Sequence, residues 1–402
     1  MINFENNIYR YKTRLLNISF LLYTFFIFSR ISTAGTSISL FLSICSIFLV
    51  RIKLAKMQWN GIQLFLAYYI IFFSCLFIAA ALSGEKDVLR YTWKYFTWSI
   101  PFWVVYIMNS IQSMGNVFIF SATFSSILLG MSCIYSFLSV PIITKNIRIQ
   151  GFFASPNHLA TVLELVIPII FLMLFKSYRE HKILTTKGIF ILIGCVVGIF
   201  SLAMTQSRGG IFGFVIGSCS LGIAVFLASR FPKYYFKAMI ISIIAMVIAL
   251  GGLYSNTKIF QRSYDMERVL LIESSYKMWT DNQIYGVGLE QWNKVYPQYI
   301  SPLAKEPNLP MPHNTIAYFF SCTGIIGGIG FLIFTFGTIG LLLNQIKNNK
   351  NNIYYQSALW AFIAFSIHGM VDVGITNKAA MQIIFGILGM AFSSGKEKGG
   401  FY

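Results

Sequence analysis

The feature that most restricts this chain is its succession of apolar runs, each about as long as the 20 residues a helix needs to cross the hydrocarbon of a bilayer. Marking them gives about twelve, at residues 14–33, 35–51, 60–83, 91–109, 115–140, 157–176, 187–206, 209–229, 235–255, 313–343, 353–374 and 377–394. With 56% hydrophobic residues, 11% charged and a mean hydropathy of +0.67, no soluble core could hide that much apolar surface. The expected fold is an all-α polytopic membrane protein. The tenth run is too long for one straight crossing, so it tilts, kinks at the glycines between Gly324 and Gly330, or starts outside the bilayer.

One long stretch breaks the pattern. Residues 255–312 contain no membrane-like run and end in Pro310-Met311-Pro312-His313-Asn314, where the tenth run begins. The chain therefore divides into helices 1–9 over 1–254, a large cap loop over 255–312 and helices 10–12 over 313–402. Within the cap, Glu267 to Met278 has apolar residues at 269, 270, 272 and 276 among polar ones, an amphipathic pattern suited to the membrane surface. Gly286-Val287-Gly288 ends that helix, and Pro297 to Pro312 reads as extended chain. The cap is expected to be a set of short helices, not a separate globular domain.

The chain carries 31 Lys+Arg against 13 Asp+Glu, a formal charge of +18. In a soluble protein that would suggest nucleic acid, but no basic-aromatic module is present and the basic residues lie mostly in short loops. Topology and anionic lipid headgroups explain the excess, so membrane lipids are expected partners and nucleic acid is not. With the N-terminus in the cytoplasm, the inner loops collect Arg10, Lys12, Arg14, Arg51, Lys53, Lys56, Lys176, Arg179, Lys182, Lys187, Arg230, Lys233, Lys237, Lys347, Lys350, Lys396 and Lys398. The short outer loops hold only Lys86, Arg90, Lys145, Arg148, Arg208 and Lys378. That bias puts both termini in the cytoplasm and the cap outside the plasma (inner) membrane, as an even number of spans also requires. The first run follows a basic start without a small-residue cleavage site and reads as a retained helix. The six cysteines lie in or at the edges of the runs without CxxC spacing, and neither a zinc site nor a disulfide framework is indicated.

On this topology the unusual polar residues gather at the outer face. Arg148 lies in a loop leading to Pro156-Asn157-His158, Arg208 in the tight hairpin Thr205-Gln-Ser-Arg-Gly-Gly210, Arg268 near the start of the cap, and His313 with Asn314 at its end. A charge near the hydrocarbon edge is costly and tends to mark function. Each also has a plain structural reading: Arg208 as a snorkelling anchor, Arg268 as a solvated residue pairing with Glu267 or Asp265, His313 as a packed helix start, Arg148 as a tie to the Asn157 turn. His158, His368 and Asp372, near span ends, are read as structural.

The acids of the outer face form no paired motif of the kind a retaining glycosidase needs, and metal-ligand spacing such as HExxH is missing. No metal or cofactor is therefore expected. Arginines plus one histidine suit gripping a phosphate-bearing group and moving one proton, since the guanidinium fork matches phosphate oxygens and a neutral histidine is the usual general base. The chemistry this suggests is attack by a hydroxyl on the anomeric carbon of a sugar whose leaving group is a lipid-anchored diphosphate. The arginines would stabilise the charge on that diphosphate, His313 would take the proton, and the anomeric centre would invert.

Arg148-Ile-Gln-Gly-Phe-Phe-Ala-Ser-Pro-Asn157, Gln206-Ser-Arg-Gly-Gly210, Glu267-Arg268 with Trp279 and Tyr285-Gly-Val-Gly288, then His313-Asn-Thr-Ile-Ala-Tyr318, in this order over about residues 145–335, resemble the O-antigen ligase and O-antigen polymerase superfamily. The resemblance implies a twelve-span membrane glycosyltransferase with a large periplasmic loop, acting without metal on an undecaprenyl-diphosphate-linked glycan. It carries Arg208 and Arg268 onto the diphosphate and His313 onto the proposed base. Arg148, Asn157 and Asn314 go with them as substrate-binding residues. Ala154-Ser155 departs from the Gly-Asn that often precedes Pro-Asn in the family, leaving the turn intact. The leading expectation is a ligase transferring a preassembled glycan to a lipid A-core acceptor. The alternatives are a polymerase extending a lipid-linked repeat and a flippase without covalent chemistry, which would instead spread polar residues through the midplane.

Overall fold

A computed structural model describes residues 2–50, 62–139, 148–243, 263–304 and 308–394. Among these residues the regular elements are all helical. Six helices are long and apolar enough to cross a membrane: Gln63–Ser83, Gly115–Leu138, Pro156–Arg179, Thr186–Met204, Arg208–Arg230 and Thr315–Asn348. Thr33–Leu49 and Lys378–Ser394 are apolar but shorter. The all-α membrane class follows, while twelve spans do not.

The run expected at 91–109 divides into Lys86–Thr97 and Ile100–Ile111, each of 12 residues. Pro101 accounts for the break, because its ring clashes with the carbonyl four residues back and it has no N–H to give a continuing helix. Each piece rises about 18 Å, short of the hydrocarbon thickness. The run expected at 353–374 stops at His368, and residues 369–377 form a turn-rich return to the last helix. Of the run expected at 235–255, residues 235–243 are helical. Its remainder, the start of the cap, and the loop positions Arg51, Lys53, Lys56, Lys145, Lys396 and Lys398 lie outside the described residues.

Two helices form the centre. Pro156–Arg179 is 72% buried over its apolar stretch, more than any other long helix, and every residue from Ala379 to Ser393 is buried. Around them, Ile353–His368 packs along Arg208–Arg230. Glycine makes that contact close: a Cβ on Gly213 would stand 2.5 Å from the Ala364 carbonyl oxygen, and one on Gly217 2.7 Å from that of Trp360. Small residues four apart let helix backbones meet where lipid offers no hydrophobic drive to bring them together.

Thr315–Asn348 is kinked at Gly324, at φ 61° and ψ −161°, within the glycine segment where the sequence suggested a kink. The cap loop fills the break. Val287 N–H donates to the Ser321 carbonyl (2.9 Å), Gly288 N–H to that of Cys322 (2.8 Å), and Ile325 N–H to that of Gln283 (2.7 Å). Backbone groups freed by a broken helix are costly in an apolar surrounding unless a neighbour satisfies them, and here the neighbour is the cap. Gly324→Ala would place a Cβ 2.3 Å from Ile284 backbone atoms in a left-handed conformation. We expect it to cost at least about 2 kcal/mol and to loosen the cap, read as a lowered Tm in detergent and new proteolysis around residues 283–288.

The cap helix expected at 267–278 spans Ser263–Asp281. It packs on Thr315–Asn348 and on the buried, stacked pair Trp292 and Tyr296, with Trp292 Nε1 donating to Ser275 Oγ at 3.1 Å. Tyr95 donates to Glu290 Oε1 (2.7 Å) and the Glu290 N–H to Tyr318 Oη (3.2 Å). These bonds join cap, Lys86–Thr97 and the kinked helix into one unit, so Arg268 is held relative to the bundle.

Candidate active site

Three helices begin at one end of the bundle, each capped by the residue before its first turn. Ser155 Oγ accepts from His158 N–H (3.2 Å), Ser207 Oγ from Gly210 N–H (3.4 Å) and Asn314 Oδ1 from Ala317 N–H (2.9 Å). Ser155, where the resembling motif departs from the common pattern, therefore does the capping itself. The positive ends of three helix dipoles point to this end, a setting that favours an anion. Ile353–His368 finishes at the same place.

A chain of hydrogen bonds runs across these helix ends. Arg148 donates from Nε to the Thr205 carbonyl (3.1 Å) and from Nη2 to Asn157 Oδ1 (2.7 Å). Asn157 Nδ2 donates to Asp372 Oδ2 (3.0 Å), and Asp372 Oδ1 lies 3.2 Å from His313 Nδ1. The same carboxylate oxygen accepts from Val373 N–H at 2.8 Å. Beside it, Asn314 Nδ2 donates to the Met370 carbonyl (3.0 Å) and Thr315 N–H to that of Gly369 (2.7 Å). His313 sits in the left-handed region at φ 52°, an uncommon backbone for a non-glycine residue. It is held there between the prolines of the cap exit and this pair of bonds, with a side chain 29% exposed.

Arg208 is the first residue of its helix and is exposed; Arg268 projects from the cap helix and is half-buried. Both lie close enough to act on Arg148, whose guanidinium is shifted below its ordinary value by burial and then by the charges of Arg268 and Arg208, with Asp372 opposing. Burial would raise the Asp372 carboxyl, but the His313 hydrogen bond and the charges of His313 and His368 outweigh it and hold the group at about 2. Asp372 is thus ionised throughout the working range, ready to orient an imidazole and stabilise it once protonated.

All six residues expected from sequence, Arg148, Asn157, Arg208, Arg268, His313 and Asn314, come together at this end. The one missed is Asp372, which links His313 to Asn157. Sequence reading placed it and His368 inside a span and gave both structural roles. The usable signal was an acid within an apolar stretch, four residues from a histidine, which is expensive without a partner. His368 has that kind of partner: it is buried with Nδ1 at 3.0 Å from Glu164 Oε1, on the central helix. Gly209 and Gly210 let the start of the Arg208 helix close over this pair, since a Cβ at either would come within 3.5 Å of the His368 ring. Arg148 also fulfils its plain reading, tying its loop to the Asn157 turn.

Residues 193–332 match the model of a protein family described as O-antigen ligase. The matched segment is similar to that family and spans about a third of the chain. No curated protein matches the chain. The match supports the O-antigen ligase and polymerase superfamily that the motifs resemble, and with it a membrane glycosyltransferase-like enzyme. Arg208, Arg268, His313 and Asn314 fall inside the matched segment, whereas Arg148, Asn157 and Asp372 flank it on both sides. The candidate site therefore draws on the loop before Pro156 and the return after His368 as well as on the matched segment. Its donor set of three guanidiniums and one imidazole–carboxylate pair suits binding of an anion together with transfer of one proton.

Proposed function

We propose that the protein is an O-antigen ligase-type glycosyltransferase that moves a preassembled glycan from undecaprenyl diphosphate to a hydroxyl of a lipid A-core acceptor, at the extracytoplasmic face of the plasma (inner) membrane. The observation that carries this reading is His313 Nδ1 at 3.2 Å from Asp372 Oδ1, beside arginines from three separate elements. With Nδ1–H donated to the carboxylate, Nε2 is the ring nitrogen that accepts a proton. The acceptor oxygen attacks the anomeric carbon and a new glycosidic bond forms. The old bond to the diphosphate breaks with its electron pair on the leaving oxygen, and the hydroxyl proton goes to His313. Attack opposite the leaving group inverts the centre. Arg208 and Arg268 meet the charge that grows on the diphosphate, while Arg148 and Asn157 keep Asp372 in place.

The test is incubation of the purified protein with a lipid-diphosphate-linked glycan and two acceptors. Glycan on lipid A-core is the expected result. Glycan added to a second lipid-linked repeat would make the enzyme a polymerase, which uses the same donor and the same base. An intact donor with both acceptors, and movement of it across vesicles, would replace the proposal with a transporter.

A further inference from the structure

Next to the site, a crevice of about 210 Å³ lies between Thr315–Asn348, Ile353–His368 and Lys378–Ser394. Its lining is apolar except for Thr315, Thr335 and Ser366, and the Ser366 hydroxyl is already spent on the Phe362 carbonyl (2.8 Å). The inner wall is made of buried rings such as Phe334, Phe362 and Phe385, while Phe336 on the outer rim is 65% exposed and Met370 at the mouth 44%. The crevice thus opens sideways, toward the surface that faces lipid, and upward, toward the catalytic end. The upward opening is continuous with the site, because Gly369 and Met370 are the residues whose carbonyls fix Thr315 and Asn314. From Phe362 to Gly369 the wall runs about 10 Å along the helix axis.

We infer that this crevice seats the first isoprenoid units of the lipid tail attached to the leaving diphosphate, an inference that rests on the donor proposed above. The tail of such a carrier is esterified directly to its phosphate, so a diphosphate gripped by the arginines starts its chain within a few bonds of the crevice mouth. The acyl chains of a lipid A-core acceptor are separated from its reacting hydroxyl by several sugars and would not be delivered to this point. A narrow slot with rigid aromatic walls also suits one unsaturated chain better than a group of acyl chains. Seating the tail here would set the register of the diphosphate against His313.

A donor carrying a photoreactive group in its first isoprenoid unit should label wild-type protein on peptides containing Phe336, Ser366 or Met370. Ser366→Phe, which fills the slot without touching the catalytic groups, should raise KM for the long-tailed donor roughly tenfold and leave transfer from a methyl-diphosphate donor unchanged. If wild type transfers glycan but labelling falls on other helices and Ser366→Phe keeps its KM, the tail lies elsewhere and the enzymatic reading stands. Labelling of the crevice by an acyl-chain probe on the acceptor instead would also overturn the inference. No transfer by wild type from any donor would remove the underlying function and the inference together.

Discussion

His313→Ala is expected to lower glycan transfer by about 10²- to 10⁴-fold, with expression, membrane insertion and Tm within error of wild type. The ring makes one side-chain hydrogen bond, to Asp372, and its side chain is partly exposed, so its removal leaves no cavity in the core. The left-handed backbone at residue 313 is imposed by the neighbouring bonds of Asn314 and Thr315, which the substitution keeps. The loss should therefore appear in kcat, with donor binding retained. Asp372→Asn should act on the same step: the amide fills the same space but cannot hold the imidazole in one tautomer or stabilise it when protonated. Because Asp372 carries its charge down to about pH 2, wild type should lose no activity from its titration between pH 5 and 8. Wild-type rates in His313→Ala would end the assignment of the base, and a rate loss shared equally between kcat and protein stability would reduce Asp372 to a structural tie.

Which parts of this arrangement the sequence discloses follows from how locally each is encoded. The long helices are written in runs of consecutive apolar residues, so Pro156–Arg179 and Arg208–Arg230 fall within a few residues of expectation. The kink at Gly324 and the break at Pro101 are equally local, since each depends on one residue's backbone, although the second was passed over because the run of hydropathy continues through it. Arg148, Arg208, Arg268 and His313 stood out because charge and apolar surroundings conflict. Asp372 did not, because its meaning lies in its partners: Asn157 is 215 residues away in sequence and His313 59, and no local pattern records either contact. The seating of residues 283–288 into the broken helix was hidden for the same reason. Gly286-Val287-Gly288 announces a turn, but only the partner carbonyls of Ser321 and Cys322 give that turn its purpose.

Arg268→Lys is expected to lower transfer by about 10²- to 10³-fold, although the charge is unchanged. A diphosphate presents pairs of oxygens in a plane, which a guanidinium meets with two parallel N–H groups and an ammonium meets as a point. A second comparison separates this role from a solvated cap residue. Arg148, Arg208 and Arg268 stand near enough that the latter two depress the proton affinity of the first, with Asp372 offsetting part of the effect, so a bound anion would relax the repulsion among them. Arg268→Gln should consequently raise Tm in the absence of donor, while abolishing the stabilisation that the lipid diphosphate gives wild type; Arg268→Lys, keeping the charge, should show no such rise. Functional sites are commonly held in arrangements that cost stability, and removing the cause returns it. If Arg268→Gln left both the unliganded Tm and the donor-induced shift at wild-type values, Arg268 would belong to the surface of the cap, and the diphosphate would have to be held by Arg208 and Arg148 alone.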